Sequence, residues 1–210
     1  MQMTQVETQR PPVVGAMTDI TRDLEKRLSL ATREDTARGM FFNGVLDAVR
    51  TLGGEEAVAR CLAASGEKKF VDFFNYPVAA FLKLAYSAAE VMGPQYGGFE
   101  GALRRMGVQA TTDFLSSTAG KTLLLLAAGS PKRLVGNLHA GYRAAVSYGE
   151  RGVSWTGDKS GIFTMKRDFM PPAYHEGTLQ AVIEAVGGMQ VKVQGRQVGL
   201  LDTEYTLSWQ

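Results

Sequence analysis

Residues Tyr76 to Gly93 read YPVAAFLKLAYSAAEVMG. Between Val78 and Met92 twelve of fifteen positions are apolar, and the exceptions are Lys83, Ser87 and Glu90. Those three differ by four and three residues, so on a helix they share one face. A rod that is apolar except for one thin polar stripe belongs in the middle of a globular core, or under a partner. A membrane span is the competing reading and it fails. A span needs about 20 mostly apolar residues, and Lys83 would lie within it at high cost. The stretch therefore predicts a buried helix, with Pro77 at its first position.

Three buried roles are open to such a helix. It can be a core element packed on all sides. It can be a homodimer face, where Ala79, Ala80, Ala85, Ala88 and Ala89 let a second helix approach closely. It can also be the wall of an apolar ligand cavity lined by Phe81, Tyr86 and Met92. Phe114, His139 and Tyr142 join these three as candidate ligand-binding or interface residues.

The flanking sequence is helical on both sides. DITRDLEKRLSLA spaces Ile20, Leu24, Leu28 and Leu30 near a helical period. MFFNGVLDAVRTLGG puts Phe42, Val45, Leu46, Val49 and Leu52 on one face and predicts a stop at its glycine pair. EEAVARCLAASG follows as a short helix with acidic residues in its first turn. GFEGALRRMG and VQATTDFLSSTAGKTLLLLAAG predict two more helices. Ser130-Pro131 then reads as an N-cap and restart for KRLVGNLHAGYRAAVSYG.

The period changes after Gly149. GVSWTGDKSGIFTMKRDF predicts two strands around a Gly-Asp-Lys-Ser-Gly turn. YHEGTLQAVIEAVGG is a helix with Leu179, Val182, Ile183 and Val186 on its buried stripe. In the last two segments Val191 and Val193 share a face, as do Tyr205, Leu207 and Trp209. The order gives an α+β fold: an N-terminal helical bundle followed by a ββαββ antiparallel sheet unit. No repeat, low-complexity tract or linker divides it, so the prediction is a flexible polar tail over 1–17 and one α+β domain over 18–210.

Composition narrows the function classes. The chain has 210 residues with 45% apolar and 21% charged, enough for a substantial core. Its net charge is +2 and its basic pairs are scattered, at Lys68-Lys69, Arg104-Arg105, Lys132-Arg133 and Lys166-Arg167. Nucleic-acid binding usually leaves a concentrated basic footprint, so it is not expected. Cys61 is the only cysteine, which excludes an intrachain disulfide and fits a reducing compartment. The N-terminus lacks the apolar run of a secretory signal, so a cytoplasmic location is expected.

No motif names a reaction. His139, His175 and Cys61 are far apart, without CxxC or HExxH, so no metal site is predicted. STAGKT, Ser117 to Thr122, would need a glycine at position 115 to be a phosphate loop, and Leu115 stands there. GDKSG spaces its serine wrongly for a nucleophile elbow. Glu55-Glu56 is explained by the helix dipole. His175, just after Pro171-Pro172, reads as a capping or packing residue, and His139 as a partly exposed one. Cys61 reads as an inert buried thiol, with acylation or redox sensing as its functional alternative. No catalytic residue is predicted.

Across the chain from Asp19 onward, the landmarks DTARGMFFNGVL, YPVAAFLKL, RRMG…FLSSTAGKTLL, SPKRLVGNL, YHEGTLQAVIEAVGG and YTLSW resemble a paralogous family of uncharacterised myxobacterial proteins. The order of helices then ββαββ is also similar to a fold shared by heme-based nitric-oxide sensors, TRAPP small subunits and vinyl-reductase-type ligand-binding domains. That resemblance implies a ligand-binding or scaffolding module, often dimeric, with an apolar cavity between helices and sheet. The heme sensors carry a proximal histidine and a Tyr-x-Ser-x-Arg motif. YTLSW has the wrong spacing and YSAAE lacks the arginine, leaving His139 as the candidate axial ligand. One cysteine cannot reproduce the metal site of the vinyl-reductase-type domains, while Cys61 could play the acylated cysteine of TRAPP subunits.

The sequence thus predicts a non-enzymatic, homodimeric ligand-binding or protein-interaction module, a sensor or scaffold with an apolar core or cavity. Its partners would be a small apolar ligand or a protein, and no cofactor is predicted. A heme or gas sensor, and an enzyme with an unrecognised site, are the alternatives.

Overall fold

The computed structural model describes residues 14–210. Most of the tail expected over 1–17 lies outside the described residues; helix α1, Val14–Leu30, begins ahead of the expected onset at Thr18. The chain continues through β1 (Thr36–Arg38), α2 (Gly39–Ser65), β2 (Asn75–Pro77), α3 (Val78–Tyr96), α4 (Phe99–Ser116) and α5 (Thr118–Ala127). Then come α6 (Pro131–Gly136), α7 (Leu138–Ala145), β3 (Glu150–Gly157), β4 (Ser160–Lys166), α8 (Pro172–Glu184), β5 (Lys192–Gln197) and β6 (Thr203–Ser208). This is the α+β order that the period change announces.

Helix α3 is the buried rod. Lys83 and Glu90 are exposed and Ser87 half-buried, while Leu82, Leu84, Ala85, Ala88 and Met92 are fully buried. Each large apolar side chain so buried contributes about 1.5–3 kcal/mol. Of the five alanines, Ala80, Ala85, Ala88 and Ala89 are buried inside the single chain and Ala79 is half-buried, so α3 does not offer the four buried ones as a dimer face. Pro77 caps α3 from outside instead of opening it. It belongs to β2, where it pairs with Thr36, and the Val78 N–H donates to the Asp35 carbonyl at 2.7 Å.

Several boundaries differ from the periodicity, each for a local reason. Helix α2 spans both predicted helices, with its break at Gly54 in a glycine conformation (φ 67°, ψ −168°). Helix α4 runs straight through Gly107, where no stop occurs because α8 crosses there. A Cβ on Gly107 would lie 1.9 Å from the Tyr174 carbonyl oxygen, and one on Gly177 would lie 2.0 Å from that of Arg104. The break comes at Ser117, whose hydroxyl accepts from the Gly120 N–H and caps α5. The helix expected after Ser130 is divided at Asn137 into α6 and α7.

Strands β1 and β2 pair with each other, and the last four strands form one antiparallel sheet in the order β3-β4-β6-β5. Phe163 pairs with Tyr205 and Met165 with Thr203. Their inward side chains meet Leu179, Val182 and Ile183 of α8 in one core. A second core forms around α2, α3 and α4. The two halves are pinned at their seam: Arg167 donates Nη1 to Asp35 Oδ1 at 2.5 Å and Nη2 to Oδ2 at 2.8 Å.

Candidate functional site

Where the two cores meet, a cavity of about 80 Å³ lies among α2, α3, α4, α5, α7, α8 and the start of β3. Phe41, Phe81, Phe114, Leu123, Leu138 and Val182 form its apolar walls. Tyr142, Tyr148, Arg151, Asp168 and His175 form the remaining side.

That polar side is assembled from four segments. Arg151 is the second residue of β3, on the same strand face as Val153 and Trp155. Gly149, at φ 75°, makes room for it: a Cβ there would lie 2.7 Å from Arg151 Nη1. Asp168 follows β4 and is fixed by its N–H donating to the Leu201 carbonyl at 2.8 Å. His175 is in the first turn of α8, and Tyr142 is on α7.

Asp168 collects three donors: Arg151 Nη2 on Oδ2, and His175 Nε2 at 2.7 Å and the Met170 N–H at 3.0 Å on Oδ1. Burial alone pushes its carboxyl up, but the charges of His175 and Arg151 with these hydrogen bonds hold it well below the usual carboxylate range. His175 Nδ1 meets the Tyr142 hydroxyl at 3.0 Å. Arg151 also donates Nη1 to the Tyr148 carbonyl. Its Nε is buried without a hydrogen-bond partner among the described residues. The rings of Tyr142 and Tyr148, 4.6 and 5.5 Å from its Cζ, stand in for an acceptor. Burial first, then the Asp168 charge, pushes both phenols well above their ordinary pKa, so they stay protonated.

Of the residues singled out from sequence, Phe81, Phe114 and Tyr142 are together at this cavity. Tyr86 and Met92 are buried elsewhere. The Tyr86 hydroxyl bonds Asp23 of α1 and its ring packs 5.0 Å from Phe99, while Met92 lies in the helical core. His139 is exposed, with Nδ1 3.2 Å from the Gly136 carbonyl. Cys61 is fully buried, its Sγ 3.6 Å from Ser87 Oγ. Sequence reasoning missed Arg151, Asp168 and Tyr148, and gave His175 only a capping or packing role. One signal was present: Arg151 shares a strand face with Val153 and Trp155, and a charge in line with inward apolar residues implies a buried partner.

A model of the family described as "Protein of unknown function (DUF2378)" matches residues 30–210. The chain belongs to the DUF2378 family. No curated protein is significantly similar in sequence. Solved structures are similar in fold. An Fe(II) unliganded H-NOX protein from K. algicida superposes with a TM-score of 0.67 at 14% identity, over 82% of this chain and 96% of that one. An H-NOX protein from S. oneidensis in the Fe(II)NO ligation state gives 0.61 at 12%, over 82% and 99%. A point mutant of the T. tengcongensis H-NOX gives 0.62 at 11%, over 82% and 97%. This DUF2378 chain therefore has an H-NOX-like fold.

The residues of this DUF2378 chain do not fit heme. His139 is exposed and stands outside the cavity wall. His175 is at the wall, but both of its ring nitrogens are engaged, by Asp168 and Tyr142. The cavity, about 80 Å³, is also well short of the roughly 300–1,000 Å³ of pockets for drug-sized ligands. Among the described residues no group of three or more His, Cys, Asp or Glu side chains is placed to hold a metal ion. No helix among them is long and apolar enough to cross a membrane.

Proposed function

We propose that this DUF2378 protein is a non-enzymatic, sensor-type module that holds a small ligand in the cavity at its seam. The observation that carries the reading is the shared wall. α7, α8 and β3 each contribute a side chain to one hydrogen-bonded chain, Tyr142–His175–Asp168–Arg151. A molecule entering beside that chain touches the helical half and the sheet half together. The His175–Asp168 pair also has the composition of a general-base dyad. Binding is favoured over catalysis because neither imidazole nitrogen is free and, among the described residues, no serine or cysteine nucleophile adjoins it. The homodimer is no part of this proposal, since α3 uses its alanines within the chain.

Native mass spectrometry of the protein as purified, together with thermal-shift screening against small molecules, tests the reading. A co-purifying or stabilising small molecule is expected. A protein that carries nothing and is stabilised by nothing ends it.

A heme-based sensor is the second reading, supported by the H-NOX-like fold. Its test is hemin titration followed by absorbance. The engaged His175 and exposed His139 lead us to expect no stoichiometric Soret band. A sharp band lost in either His175→Ala or His139→Ala reverses the preference.

A further inference from the structure

Resting on the ligand-binding reading, we infer that the seam cavity takes a neutral, apolar molecule no larger than a single aromatic ring, and that Phe114 sets this size limit.

The charge argument comes from the charged groups of the polar wall, which are engaged with one another. One buried carboxylate, Asp168, is engaged by both the Arg151 guanidinium and His175. Asp168 already receives three donors, and both nitrogens of His175 are engaged. The Thr111 hydroxyl donates to the Gly107 carbonyl at 3.0 Å, and the Thr178 hydroxyl donates to that of Tyr174 at 3.2 Å. Arg151 Nε lacks a partner, but it is packed within protein and offers no surface to the cavity. An ionic ligand would shed its hydration and find no unpaired charge to replace it. An apolar ligand has no strong hydration to give up and gains contact with Phe41, Phe81, Phe114 and Leu123.

The size argument comes from the volume. An apolar cavity of about 150 Å³ admits benzene. This one, at about 80 Å³, is roughly half that size, so a ring of about six heavy atoms enters only as the walls give way, and larger molecules are refused. Phe114 lines the cavity and its ring packs against Gly141 of α7. A Cβ on Gly141 would already lie 3.5 Å from the Phe114 Cε1 and 3.2 Å from the Leu123 Cδ2, so this wall has no spare room. Truncating Phe114 would open it.

The experiment is a titration of the full chain with benzene, toluene, benzoate and xenon, followed by methyl NMR shifts of leucine and valine. Benzene and xenon are expected to shift the Leu123, Leu138 and Val182 methyls, with benzene at least tenfold tighter than benzoate. Phe114→Ala is expected to bind toluene at least tenfold better than the parent chain does. Ala110→Leu, which fills the cavity, is expected to abolish the benzene shifts. Benzoate binding as well as benzene overturns the inference and leaves the ligand-binding reading intact. Unchanged benzene binding in Ala110→Leu, or unchanged toluene binding in Phe114→Ala, overturns the site or the size limit respectively. Silence from all four probes overturns the inference. A co-purifying molecule found by native mass spectrometry would then keep the broader reading alive.

Discussion

Asp168 Oδ1 and His175 Nε2 meet at 2.7 Å, and almost no solvent reaches either side chain. On its other oxygen the same carboxylate holds the buried guanidinium of Arg151. A single acid thus compensates the buried polar groups of β3 and α8 at once.

Removing that charge strands Arg151 in the interior. Breaking one side of a buried ion pair costs about 3–5 kcal/mol, so Asp168→Asn is expected to lose stability on that scale in urea denaturation. The pH dependence follows from the direction of the shift. The folded carboxyl titrates below its unfolded value of about 3.9. Its stabilisation is therefore complete above that value and is lost as pH falls through the folded pKa. In the parent chain stability should decline below about pH 4, and the Asn variant should show a shallower acid limb. An equally steep limb in both would sink the assignment.

Gly107 and Gly177 mark where α4 and α8 touch backbone to backbone. An added methyl at either has no space, with carbonyl oxygens 1.9 and 2.0 Å from the Cβ position. Gly107→Ala and Gly177→Ala should each cost about 3 kcal/mol or more. Gly136, whose Cβ would meet open space, is the control. There alanine should be neutral or stabilising by up to about 1 kcal/mol. Thermal melts of the three variants separate crowding from helix propensity.

Gly107 also explains what the sequence could and could not announce. The Gly53-Gly54 pair and Gly107 look alike in the chain. One supplies a backbone angle at a break, and the other supplies closeness to a helix far away in sequence. Only the first is local and therefore legible. The buried rod was legible because Lys83, Ser87 and Glu90 fall on one stripe. The β3–β4 hairpin was legible from its alternation and turn. Strands β1 and β2 have three residues each, too few to alternate. The polar wall was hidden for another reason. Asp168 is 7 residues from His175 and 17 from Arg151, and His175 is 33 from Tyr142. Only the finished fold brings them together, and Pro171-Pro172 directed attention to a helix start instead.

Asp35 and Arg167 fasten the helical half to the sheet half through two parallel hydrogen bonds. A double-mutant cycle with Asp35→Ala and Arg167→Ala should give a coupling of about 1 kcal/mol near neutral pH, because the Arg167 side chain is nearly half exposed and partly screened. The hydrogen bond from Arg167 is the main reason the Asp35 carboxyl sits below its ordinary value. Lowered in the fold, it contributes above its unfolded pKa of about 3.9 and ceases to do so in acid. The coupling should therefore shrink as the cycle is repeated below about pH 4. A coupling indifferent to pH would show that the charge of Asp35 does not hold the seam.

Cys61 offers a test of the acylation alternative. Its thiol is enclosed between α2 and α3, and burial raises its pKa above the usual cysteine value. Raised and enclosed, it presents neither the thiolate nor the access that modification requires. In the native protein Ellman's reagent should therefore react at least a hundredfold more slowly than in 6 M urea, by an order-of-magnitude reading of buried-thiol behaviour. Ser87→Ala removes the nearest polar neighbour, 3.6 Å from the sulfur, and should leave that protection intact. Native labelling at the rate of a free thiol would show that α2 and α3 part readily enough to admit a reagent. An acyl chain would then have a route to the sulfur, and the interior beside α3 would have to be treated as a second ligand site.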